Sequence, residues 1–205
     1  KSGLEHVDGL ASHEPAEHVL IDTASFRALE IDRALRDGAR TGSLLHAVDR
    51  TLTPPGARLL RSWIAAPLLA PDSIAERHEA VLELLQRPAL RADARARLDG
   101  MQDIERLLAR TVSGTATARD LLALKASLSR LPALCGALGS ARATLLRQIA
   151  ETDPCAALAA RLADGVHEEP PVGLREGGLI RDGFHTELDE LRAIRRDARE
   201  TIAAI

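Results

Sequence analysis

The sequence predicts an all-α fold, an elongated and irregular array of helices with a small loop or hairpin element before the last long helix. Aromatic residues make up only 1% of the 205 residues, so the core must consist of Leu, Ile, Val and Ala, which favours packed helices over a sandwich or barrel. Helix start signals recur at short intervals along the chain. Near its end, apolar residues repeat every three or four positions, as on one face of a helix.

The composition predicts a soluble globular protein. Apolar residues make up 45% and charged residues 28%, and no apolar run is long enough to span a membrane, so we expect no membrane partner. The first residues contain no signal peptide, and the two cysteines form no CxxC motif, which predicts a reducing, cytoplasmic location. The net charge of −3 argues against a module that binds DNA strongly by itself.

Residues 1–20 are polar and interrupted by Gly9 and Pro15, and we interpret them as a lead-in segment from a preceding connector. Residues 21–205 are predicted to form one helical domain. Its first helix is expected to begin at Asp22 or Thr23 and to end near Gly38.

The next helices are predicted from their start and stop signals. Ser43 is expected to cap a short helix through Val48, and Thr53 a longer helix that ends before Pro67. A helix starting near Thr117 is expected to bend or end at Pro132. The remaining predicted helices cover about 72–86, 88–98, 102–112, 141–151 and 154–163.

The segment 168–183 is rich in Gly and Pro, which predicts an irregular loop with a small hairpin about residues 176–178. The last helix, from Thr186 to Ile205, has coiled-coil-like spacing. The apolar stripe consists of Leu188, Leu191, Ala198, Ile202 and Ile205, with Arg195 in the remaining position. No residue ends this helix and no Met begins the chain, so we expect a segment of a longer protein.

The sequence contains no recognisable catalytic, cofactor or metal motif and predicts no site residues of any of these kinds. Lys125 follows Leu-Ala-Leu rather than a glycine-rich loop, so it does not belong to a phosphate-binding loop. His13 and His18 have the wrong spacing for a zinc-protease helix, which Pro15 would also break. Which residues would contact DNA is unknown from the sequence.

One histidine and two groups of charged residues could be mistaken for site residues, but each has a structural interpretation. His78 is expected to pack on the apolar face of its helix. The charged residues between Asp103 and Arg110 are expected to form a structural ion-pair network. The basic cluster of Arg192, Arg195, Arg196 and Arg199 is interleaved with acidic residues, which is typical of a solvent-facing helix.

Five separated segments resemble, in order, the core and lever domain of the MutS DNA mismatch-repair family. The first, IDTASFRALEI, is similar to the family motif LDxxTxRNLEL, with Ser25 in place of Thr and Ala28 in place of Asn. The second, SLLHAVDRTLTPPGARLLRSWIAAPL, resembles the most recognisable stretch of that domain. The segments cover residues 21–31, 43–68, 103–110, 119–124 and 177–192.

The resemblance implies that 21–205 are the helical core and lever domain of a larger protein whose clamp and ATPase domains lie outside this sequence. Such a parent would be a DNA-dependent ATPase that uses ATP and Mg²⁺, acts as a homodimer on mismatched double-stranded DNA and signals to MutL. This chain itself is expected to be no enzyme and to hold no cofactor. Its implied role is to couple ATP-driven changes to DNA clamping and mismatch recognition.

The alternative from another class is a stand-alone helical protein-interaction module, in which the apolar stripes bind partner helices. The two hypotheses differ in the surface that they predict. A segment of a longer protein is expected to leave some apolar stripes exposed, whereas a stand-alone module is expected to have a self-contained surface.

Overall fold

The computed structural model of the chain describes residues 17–171 and 176–203, with side chains through residue 198. This described part contains eleven helices, and its extended segments pair only in two isolated antiparallel bridges, His18 with Leu68 and Val166 with Ile180. The predicted all-α fold class is confirmed. Most of the lead-in segment lies outside the described residues, so its boundary at residue 20 stays a prediction.

The helices follow one another through short connections. Their bounds are α1 Thr23–Ala28, α2 Leu44–Val48, α3 Pro54–Ala65, α4 Pro71–Gln86, α5 Pro88–Leu98, α6 Ile104–Val112, α7 Ala118–Leu128, α8 Leu131–Leu138, α9 Thr144–Ala150, α10 Ala156–Gly165 and α11 Thr186–Ala203.

Four predicted helix starts are confirmed by side chains that accept hydrogen bonds from the first free amides of α1, α2, α3 and α7. Asp22 accepts from two backbone N–H groups of α1, and Ser43 and Thr53 each accept from one in α2 and α3. Thr117 and Asp120 form a reciprocal capping box at the start of α7. These starts were predictable because a cap needs only neighbouring residues.

The predicted end of α1 near Gly38 is wrong, since the helix stops at Ala28. Glu30 then takes a left-handed conformation with φ 48°. The backbone carbonyls of Glu30 and Ile31 accept hydrogen bonds, each 2.9 Å long, from the N–H groups of Leu44 and Leu45. This pairing with the start of α2 leaves Ile31 buried, and it depends on residues more than ten positions away.

The helix α8, which begins at Leu131, was not predicted as a separate helix from the sequence. α7 ends at Leu128, and Pro132 lies in the first turn of α8, where its missing N–H costs no hydrogen bond. Leu131 of α8 packs against the buried cluster of Leu124, Leu128 and Ala159.

Within the described chain, one stretch, Ala118–Leu138, is apolar and long enough to cross a membrane, with a mean hydropathy of 1.3. It consists of α7 and α8, which are separated at Ser129 and Arg130. Neither helix alone approaches the roughly 20 residues that a bilayer requires. The stretch also contributes buried residues to a helical core, so it does not indicate a membrane protein.

The chain divides into two compact units. The first comprises Lys1–Arg91 and Ala141–Arg147, and the second Ala92–Ser140 and Gln148–Ile205. In the first unit, the buried apolar residues include Ile31, Leu45, Ala80 and Leu90.

The core of the second unit lies where α10 and α6 pack against α7. Leu124 and Leu128 of α7 and Ala159 of α10 are buried together, and partly buried leucines and isoleucines surround them. Ser127 is also buried, but its hydroxyl donates to the carbonyl of Ala123 and accepts from the N–H of Gln102. The core is therefore apolar, with its one deeply placed hydroxyl hydrogen-bonded.

In the first unit, Glu83 of α4 binds the chain just before α9. Its carboxylate accepts a 2.7 Å hydrogen bond from the N–H of Ala143 and others from the N–H of Arg142, and it pairs with Arg87 at 2.7 Å. The hydrogen bond from Ala143, followed by those from Arg142 and Arg87, lowers the pKa of Glu83 below its usual value of 4.5.

Glu83→Gln is expected to remove part of the acid sensitivity of folding. A carboxyl whose pKa is lower in the folded state stabilises the fold above its usual pKa, and this contribution disappears as pH falls through the folded pKa. We therefore expect the variant to be less stable at pH 7, and the difference from wild type to shrink below about pH 4.5. Urea unfolding between pH 3 and pH 7 measures this, with Glu79→Gln on an exposed position of α4 as the control. A difference independent of pH contradicts the assignment.

Candidate functional site

The N-terminal end of α11, its base, carries a cluster of hydrogen-bonded polar side chains in the second unit. The helix begins at Thr186, and its first turn carries Glu187 and Asp189, whose negative charges suit a helix N-terminus. Asp189 also accepts a 2.8 Å hydrogen bond from the N–H of Gly183. This bond ties the first turn of α11 to the residues that precede it.

Arg192 fastens α11 to the segment before it. Its guanidinium donates to the carbonyl of Ile180 at 2.9 Å, and to carboxylates of Asp182 at 2.7 Å and Asp189 at 3.3 Å. The side chain is 21% exposed, so these contacts are partly shielded from water. A planar guanidinium donates in several fixed directions at once, which makes Arg192 a rigid link between helix and segment.

The segment bound by Arg192 is itself bound to the end of α10. Around the bridge between Val166 and Ile180, the N–H of Arg181 donates to the carbonyl of Gly165 at 2.9 Å, and the N–H of His167 donates to the carbonyl of Leu179 at 2.9 Å. The Arg181 side chain adds a 3.0 Å hydrogen bond to the carbonyl of Val166. Because α10 packs on α7, α11 is linked through this segment to the core of its unit.

The predicted hairpin about residues 176–178 takes a different form. The chain pairs at Val166 and Ile180, so the pairing lies at the flanks of the loop, and residues 172–175 lie outside the described part. Gly177 and Gly178 have φ values of 76° and 69°, which glycine adopts without strain.

Phe184 packs against Gly165 at the end of α10. A Cβ atom at residue 165 would lie 2.9 Å from Cζ of the Phe184 ring, closer than such atoms approach. The absence of a side chain at Gly165 therefore allows this ring to lie on the helix end.

Gly165→Ala and Gly136→Ala are expected to change stability in opposite directions. Gly165→Ala forces the Phe184 ring away and is expected to lower the free energy of unfolding by about 1 kcal/mol. Gly136→Ala adds a Cβ inside α8 with nothing within 4 Å, and is expected to raise the free energy of unfolding by up to about 1 kcal/mol. Urea unfolding of both variants measures the two effects, and a stabilised Gly165→Ala contradicts the packing role.

The predicted apolar stripe of α11 is not packed inside the described structure. Leu188 is partly buried, but Leu191 is 64% exposed and Ala198 is exposed as well. Ile205 lies outside the described residues, as does the side chain of Ile202. Arg192, which the sequence placed on a solvent-facing surface, is instead the residue that anchors the helix.

Two other arginines form ion pairs. Arg110 of α6 pairs with Asp120 of α7 at 3.1 Å, a residue outside the predicted network between Asp103 and Arg110. Arg61 pairs with Asp32 at 3.0 Å. The expectation for His78 is wrong, because its side chain is exposed rather than packed.

The described residues contain no group of three His, Cys, Asp or Glu side chains placed to hold a metal ion. Lys125 lies inside α7 with no glycine-rich turn before it, so it does not fit the phosphates of ATP. The absence of catalytic, cofactor and metal residues stays a prediction, and the residues that contact DNA stay unknown.

The chain is thus a helical domain whose long last helix, α11, is anchored at its N-terminal end. The family model for MutS domain III matches residues 24–205. The chain is 48% identical over its whole length to the DNA mismatch repair protein MutS of Symbiobacterium thermophilum, of which it covers 24%. The MutS proteins of Synechococcus elongatus and Methanosarcina mazei are 46% and 41% identical over 93% and 98% of the chain, which covers 22% and 23% of them.

The chain therefore belongs to the MutS family and corresponds to its domain III. It spans about a quarter of the length of the curated relatives that it matches. The resemblance found in the five sequence segments is thus confirmed.

Proposed function

We propose that this chain is the core and lever segment of a MutS-type mismatch repair protein, and that it couples ATP-driven changes outside the chain to DNA clamping and mismatch recognition. The observation that carries the proposal is the anchored base of α11. Arg192 binds the helix to the segment 180–182, and this segment is bound to α10.

An anchored helix suits the transmission of movement. Its 18 residues span about 27 Å at roughly 1.5 Å per residue, and their backbone hydrogen bonds make it stiff along its axis. Packed elements move between discrete arrangements rather than deform continuously. A displacement at the base of α11 is therefore carried along the helix.

The proposal includes the partners of the full-length protein. ATP and Mg²⁺ bind in an ATPase domain outside this chain, and the full-length protein acts in the cytoplasm as a homodimer on mismatched double-stranded DNA, signalling to MutL. The names of the relatives support the repair role, since each is a DNA mismatch repair protein. The residues of this chain bind and orient the lever, and they perform no step of ATP hydrolysis.

Leu191→Pro, which breaks α11, tests the proposal in the full-length protein. The measurement is the ATP-driven release of that protein from mismatched DNA. We expect release to be lost while ATP hydrolysis continues, because the break uncouples the two ends of the helix. Leu191→Ala is the matched control, since it removes the same exposed side chain and keeps the helix. Normal release by a folded Leu191→Pro protein contradicts the lever role.

A further inference from the structure

A cavity of about 850 Å³ lies beside the base of α11 in the second unit. Four guanidinium groups line it, two from the anchoring contacts and two from the next turn of the helix. They belong to Arg181, Arg192, Arg195 and Arg196.

Two of these guanidinium groups are held in place by backbone carbonyls. Arg181 donates to the carbonyl of Val166, and Arg192 to that of Ile180. Their carboxylate partners at the cavity, Glu168 and Asp182, have side chains that are 76% and 85% exposed. Ion pairs with such exposed carboxylates are weak, so a stronger anion can replace them without moving the arginines.

The other two guanidinium groups, of Arg195 and Arg196, are exposed, and within the described part of the chain neither forms a hydrogen bond or an ion pair. His167 also lines the cavity, and its Nδ1 accepts from the N–H of Glu169 at 3.2 Å. In the neutral ring this leaves Nε2 as the N–H donor. The lining thus carries two more positive than negative charges, since its acidic residues are Glu168 and Asp182.

We propose that this cavity is a binding site for a phosphate-class oxyanion. Guanidinium groups bind phosphate through paired N–H donors, and two fixed arginines next to two exposed ones supply both position and charge. The cavity is large enough for two linked phosphates or for a phosphodiester of a nucleic-acid backbone. The site is additional to the proposed lever role, which needs no ligand in this chain.

The experiment titrates the 205-residue chain with inorganic pyrophosphate and, separately, with duplex DNA, at low salt and by calorimetry. We expect saturable binding of at least one ligand. Arg195→Gln combined with Arg196→Gln should weaken it about tenfold, the effect of losing two charge-assisted contacts. Circular dichroism confirms that each variant is folded.

The control combines Arg119→Gln with Arg147→Gln, two exposed arginines outside the cavity, so that the change in net charge is the same. We expect less than about a twofold loss, since distant surface charges are screened. Binding of pyrophosphate alone identifies a small phosphate as the source, and binding of DNA identifies the nucleic-acid backbone. No saturable binding of either ligand, or equal losses in both double variants, overturns the proposal.

Discussion

Leu124→Ala is expected to lower the free energy of unfolding by about 2–4 kcal/mol. Leu124 is 3% exposed and lies at the centre of the cluster that joins α7 to α10. The truncation removes apolar area from the core and leaves a cavity that Leu128 and Ala159 fill only in part. Equilibrium unfolding in urea measures the effect as a lower transition midpoint.

Leu85→Ala is the matched control for this prediction, because it makes the same chemical change at a position that is 61% exposed. We expect a change within about 0.5 kcal/mol, as for other surface substitutions. Equal losses in the two variants would show that the contact of α7 with α10 is not the core of its unit.

Leu191→Pro is expected to break α11 locally, at a cost of about 3 kcal/mol to the helix. Proline removes the N–H of residue 191 from the helical ladder, and its ring collides with the carbonyl one turn earlier. The exposed leucine side chain contributes little, so Leu191→Ala should leave the helix intact, and Leu191→Gly should cost about 1 kcal/mol.

Hydrogen exchange of the α11 amides measures this graded effect. The order of protection should be Ala, then Gly, then Pro, and the amide of Leu124 in the core should remain protected in all three variants. Loss of protection at Leu124 would show that the substitution unfolds the unit rather than the helix.

The helix starts were predictable from the sequence because the interactions that make them are local. Thr53 followed by two prolines, and Thr117 followed by Asp120, fix their caps within one turn. The end of α1 was not predictable, because Glu30 and Ile31 turn out of the helix to pair with residues at the start of α2.

The site was less predictable than the fold. The periodicity of α11 made Leu191 a candidate packing residue and placed Arg192 among solvent-facing charges, whereas the structure exposes Leu191 and uses Arg192 as the anchor. The decisive contact joins Arg192 to a carbonyl twelve residues earlier, across an irregular segment. A periodic pattern within one helix carries no information about such a contact. Only the Gly- and Pro-rich composition of the segment before α11 indicated that the chain folds back there.

We propose that α11 transmits movement because it is continuous and anchored. The amount of DNA released per ATP hydrolysed, by full-length protein carrying Ala, Gly or Pro at residue 191, measures this transmission. We expect the ratio to be near the wild-type value for Leu191→Ala, lower for Leu191→Gly and near zero for Leu191→Pro. Equal ratios in all three, with the helix shown by hydrogen exchange to be broken in Leu191→Pro, would contradict it.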